Sequence, residues 1–161
     1  FIYSAAIEKG YTPASVVPDE PIVIPAAETG SQAWEPKNYD GKYEGPMTLR
    51  TALAKSKNMV SIRLLRSIGT SYAQTYITRF GFDADKHPPY LTMALGAGSV
   101  TPWQHLVAYS VFANGGYRIQ PYVVKQILDA KGNVLAQFDH PWRATRTCAP
   151  STRATPTSWT A

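Results

Sequence analysis

Three consecutive polar residues, Ser56, Lys57 and Asn58, interrupt two runs of apolar pattern in the stretch TLRTALAKSKNMVSIRLL. A serine hydroxyl beside a reacting group can relay a proton, and an asparagine amide can hold a substrate carbonyl in position. A simpler alternative is that Ser56 or Asn58 caps the helix that follows, since both residue types favour N-cap positions. Average composition also produces Ser-x-Asn about once in every few hundred residues. The triplet alone therefore leaves both interpretations open.

The elements on both sides of this triplet are predicted to be helices. Apolar residues recur at helical spacing before the triplet and again in residues 60–68, where Gly69 would end the second helix. A third helix should follow, capped by Thr70 or Ser71 and ended by Gly81. The triplet is therefore expected in a turn between two helices of a helical cluster.

Two more helices are expected at the edges of this cluster. The opening FIYSAAIEKG has the pattern of the back half of a helix, with Gly10 as its terminator. Thr101, Pro102 and Gln104 fit a capping box with proline at the first helical position. That helix should run to about Asn114.

Residues 11–48 are rich in proline, glycine and acidic residues, which predicts a long loop with one short strand at residues 22–24. Loops of this length inside a compact domain are usually functional or disordered. The aromatic residues Trp34, Tyr39 and Tyr43 favour an ordered loop.

The remaining features are those of one globular domain. At 161 residues and 44% hydrophobic content the chain can bury a sizeable core. The stretch YVVKQILDAKGNVLAQF has two β-type runs around residues 131–133, which predicts a hairpin. The sequence contains no run of about 18 or more apolar residues and no basic-then-apolar leader.

The net charge of +5 gives little support to nucleic-acid binding once its distribution is considered. Residues 141–161 hold Arg143, Arg146 and Arg153 and no acid, so the rest of the chain carries 13 basic and 11 acidic side chains. The single Cys148 lies in the same stretch and has no cysteine with which to form an internal disulfide.

Three other groups of residues invite a functional reading. The histidines are His87, His105 and His140. None of them has a partner at metal-ligand spacing, so we expect no metal site. Glu35, Asp40 and Glu44 could pass for a catalytic carboxylate pair, although solvated loop charges account for them. Residues 96–98 are glycine-rich but lack a preceding strand and a Walker lysine, so we expect a tight turn and no phosphate loop.

Three parts of the sequence belong together: the stretch WEPKNYDGKYEGPMTLRTALAKSKNMVSIRLL, the pair Gly81-Phe82 and the stretch ALGAGSVTPWQHLVAYSVFANGG. In combination they closely resemble the transpeptidase domain of class A, bifunctional penicillin-binding proteins, nearest to the 1A type. The likeness covers residues 1–137 in the family's order. Trp103 and His105 depart from it, since the family more often has an aliphatic residue and a methionine there. The resemblance implies an α+β fold of the transpeptidase and serine β-lactamase type, a helical cluster beside an antiparallel sheet, here only partly present.

Catalysis in this family uses three motifs around one cleft: Ser-x-x-Lys, Ser-x-Asn and Lys-Thr-Gly. Only the middle motif occurs here, at Ser56 and Asn58. The resemblance implies that Ser56 joins a proton relay to the nucleophilic serine, that Asn58 holds the substrate carbonyl, and that both project into the cleft. Lys57 is at the variable position and is expected to be solvated. Trp34 and Tyr39 would help to line the cleft mouth, with a packing role as the open alternative.

The implied activity is that of a peptidoglycan DD-transpeptidase, which cross-links stem peptides ending in D-alanyl-D-alanine through an acyl-serine intermediate. β-Lactams would imitate the stem peptide, and no cofactor or metal is implied. The parent would also carry a glycosyltransferase and an N-terminal anchor in the inner membrane of a Gram-negative bacterium, with this domain facing the periplasm. The alternative is a non-catalytic module of the same fold that senses or binds β-lactam or peptidoglycan.

The two ends of the chain carry separate expectations. Family members read roughly Ser-x-x-Lys-Pro-Phe before the segment that resembles IYSAAIEKG, so Phe1 would follow the nucleophile motif closely and the chain as given would be inactive. We assign residues 1–140 to a partial transpeptidase domain and residues 141–161 to an atypical tail, whose composition is typical of disorder or of a misread frame. Displaced codons for residues 149–160 can spell a family-like continuation, which suggests a frameshift near residue 140. The nucleotide sequence tests this hypothesis.

Overall fold

A computed structural model describes residues 1–29 and 32–138, together with the backbone of residues 145–146. In chain order its elements are α1 Ile2–Glu8, β1 Val16–Asp19, α2 Ala26–Thr29, β2 Gly45–Thr48, α3 Leu49–Ala54, α4 Asn58–Ile68, α5 Thr70–Thr78, the 3-10 helices Ala84–Lys86 and Leu91–Leu95, α6 Pro102–Ala113, β3 Tyr117–Arg118, β4 Gln126–Leu128, β5 Val134–Gln137 and β6 Thr145–Arg146. The tail predicted for residues 141–161 lies outside the described residues, apart from the β6 backbone.

Helix α4 is the centre of the core because apolar side chains cover it on two sides. Its buried residues are Met59, Val60, Ile62, Leu64, Leu65 and Ile68. One side belongs to the larger apolar cluster with α1 and α5, and the other side packs against Ile22 and Ile24 of the loop. Burial of one such side chain contributes about 1.5–3 kcal/mol. Helix α4 is thus firmly held, and so is the turn at its N-terminus.

The loop over residues 11–48 contains more regular structure than predicted. Strands β1 and β2 pair in an antiparallel manner over four residues each. The predicted strand at residues 22–24 is wrong, because these residues contribute only one isolated bridge, between Ile24 and Trp34. The sequence pattern hides β1 and β2, since each contains a proline and β2 begins with glycine, and both residue types are depleted in strands.

The predicted helix ends are confirmed in part. Gly10 follows α1 with φ 97°, and Thr101 and Gln104 form both hydrogen bonds of the capping box at α6. The predicted hairpin is β4 and β5. The side-chain cap predicted for α5 is wrong: Gly69 occupies the N-cap position and Thr70 is the first helical residue. Gly69, with φ 91°, is both the C-cap of α4 and the N-cap of α5, so no residue with a capping side chain lies between the two helices.

The described strands form three separate two-stranded antiparallel sheets: β1 with β2, β3 with β6, and β4 with β5. Helices beside small antiparallel sheets agree with the predicted α+β class. None of the helices in the described part of the chain is long and apolar enough to cross a bilayer.

Candidate active site

The predicted triplet forms the turn between α3 and α4, and its backbone ends α3 in a Schellman motif. The Ser56 N–H donates to the Leu53 carbonyl at 3.1 Å, and the Lys57 N–H donates to the Ala52 carbonyl at 3.0 Å. This motif requires a left-handed residue after the C-cap, usually glycine. Ser56 fills that position with φ 54°, and among the described residues it is the only non-glycine residue with positive φ. Such strain costs about 1–2 kcal/mol and persists only where the surroundings hold it.

Ser56 lines a cavity of about 520 Å³. Other lining residues include Phe1, Tyr3, Leu53, Phe82, His105 and Tyr109. The volume is in the range of ligand sites, and the mostly apolar lining reduces competition from water for a hydrogen bond to the Ser56 hydroxyl. The start of α1 and the predicted relay serine therefore face one common space.

Asn58 is the first residue of α4, and its carboxamide contacts the loop. Its Nδ2 donates to the Lys37 carbonyl at 2.9 Å, and Asn58 is not among the lining residues of the cavity. The structure thus places Ser56 on the cavity wall and Asn58 two residues away against the loop. Their catalytic and substrate-binding roles stay predictions. The capping alternative is wrong for both, because the N-cap residue of α4 is Lys57 and no side chain of the triplet makes a cap hydrogen bond.

A loop residue that the sequence analysis missed caps α4 instead. Asn38 Oδ1 accepts a hydrogen bond from the Met59 N–H at 3.2 Å. Its Nδ2 donates to Asp19 Oδ1 at 2.6 Å and to the Lys42 carbonyl at 2.8 Å. Asn38 is only 4% exposed, so these bonds have little competition from water. An asparagine in an irregular loop, 21 positions before its partner, gives no local sequence signal of this role.

The expectation that Lys57 is solvated is wrong, because its side chain is buried. The residue is 2% exposed. Its Nζ lies 3.4 Å from Asp19 Oδ2, 3.3 Å from Asp40 Oδ2 and 3.0 Å from Glu44 Oε1. A buried lysine without such partners would tend to lose its proton. Asp40 and Glu44, expected as solvated charges, are partly exposed and belong to this ionic cage around Lys57.

Hydrogen bonds in and around this cage shift the pKa values of Lys57, Glu44 and Asp40 in the direction of the charged forms. The hydrogen bond to Glu44 is the largest cause that raises the pKa of Lys57 above its ordinary value. A hydrogen bond from Lys55, followed by one from Lys57, lowers the pKa of Glu44. The backbone hydrogen bond from Lys42 is the largest cause that lowers the pKa of Asp40. Lys57, Glu44 and Asp40 are therefore charged at neutral pH.

A second link ties the turn to α1. The Tyr3 hydroxyl lies 3.1 Å from Ser61 Oγ, and the Ser61 hydroxyl donates to the Lys57 carbonyl at 3.0 Å. Burial is the largest cause that raises the pKa of Tyr3, which therefore stays neutral and can donate. This hydrogen-bond chain joins the first turn of α1 to the turn that carries Ser56.

Trp34 lies away from the Ser56 cavity. It lines a separate cavity of about 250 Å³ with Thr29, Tyr90 and Thr92 among its other residues. It also packs against the smaller apolar cluster beside α4. Trp34 is therefore in a packing position, and its predicted substrate contact stays a prediction. Tyr39, named with it, is fully exposed.

The two described histidines, His87 and His105, line the Ser56 cavity and pack against neighbouring groups. His87 is buried, its Nδ1 lies 2.8 Å from the Asp83 carbonyl, and its ring leaves no room for a Cβ at Gly98. His105 stacks on Tyr109. His140 lies outside the described residues. Within the described ranges no three His, Cys, Asp or Glu side chains are grouped to hold a metal ion. The predicted tight turn is present, with left-handed Gly96 ending the second 3-10 helix.

Comparison with known proteins identifies the family. The model of the penicillin-binding protein transpeptidase domain matches residues 1–155. Penicillin-binding protein 1A of Neisseria lactamica is 53% identical over 138 residues, which are 86% of this chain and 17% of that protein. The Pseudomonas aeruginosa protein of the same name is 49% identical over 141 residues, 88% of this chain and 17% of that protein. The chain thus spans about one sixth of the length of these relatives.

Solved structures agree on the fold. The crystal structure of penicillin-binding protein 1A from Haemophilus influenzae has a TM-score of 0.78 at 42% identity, over 86% of this chain and 20% of that one. Penicillin-binding protein A of Mycobacterium tuberculosis, as an imipenem acyl-enzyme complex, has a TM-score of 0.75 at 20% identity, over 99% of this chain and 39% of that one. The latter shows the fold alone. This chain belongs to the penicillin-binding protein transpeptidase domain family and represents part of that domain.

Proposed function

We propose that these residues are part of a serine DD-transpeptidase domain that cross-links peptidoglycan stem peptides through an acyl-serine intermediate. Beside family membership, one observation carries the proposal: Ser56 lines the same cavity as Phe1 and Tyr3 at the start of α1. In the family the Ser-x-x-Lys motif comes immediately before the segment that matches α1. The nucleophile of the longer protein would therefore reach this cavity from the α1 side.

In this reaction the nucleophilic serine attacks the carbonyl between the two terminal D-alanines of a stem peptide. The peptide bond breaks, D-alanine leaves with a proton, and an amine of a neighbouring strand later takes the acyl group. The Ser56 hydroxyl would pass protons between the nucleophile, the motif lysine and the leaving amine. The Asn58 amide would exchange its bond with the Lys37 carbonyl for one with the substrate.

The proposed ligands are D-alanyl-D-alanine stem peptides and β-lactams, which acylate the same serine. The match to the penicillin-binding protein transpeptidase family supports this class of inhibitor here. The sequence of this chain contains neither Ser-x-x-Lys nor Lys-Thr-Gly. We therefore expect acylation only in the longer protein that contains these residues.

For the longer protein we propose a glycosyltransferase region and an N-terminal anchor in the inner membrane, with the transpeptidase domain in the periplasm. These features follow from the likeness to penicillin-binding proteins of the 1A type, of which this chain covers 17%. No cofactor, metal or nucleic acid has a part in the proposal.

The test is Asn58→Ala in the longer protein, with acylation by a labelled penicillin as the measurement. Loss of a key positioning donor should slow acylation by about 10² or more. Asn114→Ala is a matched control, because Asn114 also donates its Nδ2 to a backbone carbonyl, that of Tyr117 at 3.2 Å, in another part of the chain. Acylation of the Asn58 variant at the wild-type rate would refute the role. Acyl transfer to an added amine separates a transpeptidase from a sensor that is only acylated.

A further inference from the structure

The position of the Ser56 hydroxyl depends on a backbone conformation that serine does not prefer. With φ 54°, Ser56 occupies a left-handed region that non-glycine residues rarely adopt. The two Schellman hydrogen bonds from Ser56 and Lys57 to α3 form at any left-handed residue, so they do not explain how a serine is kept there. Additional contacts must hold the turn.

The next side chain along the chain supplies such contacts. Lys57 extends into the loop, where its Nζ lies within 3.4 Å of carboxylates from three different positions: Asp19 at the end of β1, and Asp40 and Glu44 in the segment before β2. The Asp19 side chain is completely buried and is also bonded to Asn38. Because these carboxylates come from two separate segments, they fix Lys57 from more than one direction.

The same loop also holds the residues on the other side of Lys57. Asn38 accepts from the Met59 N–H, and the Lys37 carbonyl accepts from the Asn58 amide. Three consecutive residues, 57–59, are thus bonded to one stretch of loop. Lys55 makes a useful contrast, because it pairs with the same Glu44 but its side chain is 50% exposed.

We propose that Lys57 is a positioning residue, which holds Ser56 on the cavity wall by anchoring the turn to the carboxylates of Asp19, Asp40 and Glu44. Residues 56 and 57 share a peptide bond, so a fixed Lys57 side chain fixes the peptide plane that orients Ser56. The role of Lys57 rests on the proposed function of Ser56 in proton transfer. The proposal thus assigns a positioning role to Lys57, the residue at the variable position of the Ser-x-Asn motif.

The experiment compares Lys57→Met with Lys55→Met in the longer protein, using the maximal rate of acylation by a labelled penicillin. Both changes remove one ammonium near Glu44 and keep an unbranched side chain. Lys57→Met should lower the rate by about 10- to 100-fold, since a displacement of about 1 Å can cost 10²-fold. Lys55→Met should change it less than about twofold, as expected for an exposed pair. Equal rates for both variants and the wild type would overturn the proposal.

A double-mutant cycle separates positioning from general stability. If Lys57 acts through the Ser56 hydroxyl, then Lys57→Met should have little further effect when Ser56→Ala is already present. A merely structural role predicts the same fold loss in both backgrounds, and that result would also overturn the proposal. The rates are compared well below the thermal unfolding temperature of every variant.

Glu44→Gln keeps the test decisive if Lys57→Met does not fold. Glu44 is partly exposed, its substitution keeps the shape, and it removes the carboxylate nearest to Lys57 Nζ. We expect about a three- to fivefold slower acylation, and an unchanged rate would contradict the anchoring role. Failure of the proposed function would give a different result from failure of the anchoring role, because the wild-type longer protein itself would then not be acylated.

Discussion

Helices α1 and α3 end in the same hydrogen-bond motif but with different residues at its critical position. After α1, the Gly10 N–H donates to the Ile7 carbonyl at 3.0 Å and the Tyr11 N–H donates to the Ala6 carbonyl at 3.1 Å. The pattern matches that of the turn after α3. The left-handed position is glycine at the first end, with φ 97°, and Ser56 at the second, with φ 54°.

The surroundings of the two ends differ as much as their residues. Gly10 is exposed, and nothing lies within 4 Å of a Cβ placed there. Ser56 faces a cavity, and it is followed by the caged Lys57. A glycine at position 56 would relieve the backbone strain, but this position has a serine, and the next residue, Lys57, is held by the ionic cage. The comparison shows that a residue can occupy an unfavourable backbone conformation where distant residues hold it, and the proposed role of Ser56 gives a reason for keeping its side chain there.

The largest effect is expected when Ser56→Gly makes the second end like the first. Loss of the hydroxyl should slow acylation of the longer protein by about 10²–10⁴-fold, as is typical of a lost proton-transfer group. The free energy of unfolding should rise by about 0.5–1 kcal/mol, because relief of about 1–2 kcal/mol of left-handed strain exceeds the entropic cost of glycine, about 0.5–1 kcal/mol. Labelled penicillin and differential scanning calorimetry measure the two effects.

A Ser56→Ala variant is the control for this pair of measurements. It removes the same hydroxyl but keeps the Cβ, so acylation should fall equally while the strain remains. If both variants unfold at the same temperature, left-handed strain at residue 56 is not what distinguishes the two helix ends.

Asn38→Ala should have the next largest effect, because it removes hydrogen bonds that hold the α3–α4 turn and leaves the end of α1 unchanged. The change leaves the Met59 N–H and one Asp19 oxygen without their buried partner, which should lower the free energy of unfolding by about 1–3 kcal/mol. Asn114→Ala, at an exposed helix end, should cost less than about 1 kcal/mol. Thermal unfolding checks both, and an Asn38 variant as stable as wild type would contradict the capping role.

Gly10→Ser makes the first end like the second and should have a smaller effect. Serine at φ 97° is strained although space is available, so we expect the free energy of unfolding to fall by about 1 kcal/mol. For domains of 150–250 residues this corresponds to about 2–4 °C in Tm. Acylation should be unchanged at temperatures where the protein is folded. A loss of activity without a loss of stability would show that the α1 end also positions the active site, which would contradict the contrast between the two ends.

The sequence predicts the parts of this fold that depend on neighbours along the chain. Helical periodicity, the Gly10 and Gly69 terminators and the capping box at Thr101 all act within a few residues, and α1, α4 and α6 follow from them. The position of Ser56 in an inter-helix turn is predictable for the same reason. Its left-handed conformation is not, since serine has no preference for it.

The residues around Lys57 could not be predicted because their contacts are distant in sequence. Asp19 lies 38 positions before Lys57, in a strand whose proline hides it. A lysine between two polar residues looks exposed from its local context, and only the folded loop shows the three carboxylates that neutralise it. The packing of Trp34 beside α4 likewise depends on residues distant in sequence.

The smallest effect is a difference in acid sensitivity between the two helix ends. Asp40 and Glu44 have lowered pKa values in the folded protein, so their contribution is complete above their ordinary values of about 4 and is lost as the pH falls through the lowered ones. The contribution of the raised Lys57 pKa is complete below the ordinary lysine value and is lost only as the pH rises through the raised one, so it does not change on acidification. Acidification from neutral pH should therefore loosen the α3–α4 turn through Asp40 and Glu44.

Amide hydrogen exchange in the longer protein can measure this difference at equivalent positions. The Lys57 amide closes the motif after α3, and the Tyr11 amide closes the motif after α1. Protection of the Lys57 amide, corrected for intrinsic exchange, should fall below about pH 4 while that of Tyr11 changes little. In Glu44→Gln one titrating carboxylate is gone, so the acid-induced loss at Lys57 should be smaller. A parallel loss at both amides would mean that acid loosens the helical cluster as a whole, because a cage that acts locally changes only the turn it holds.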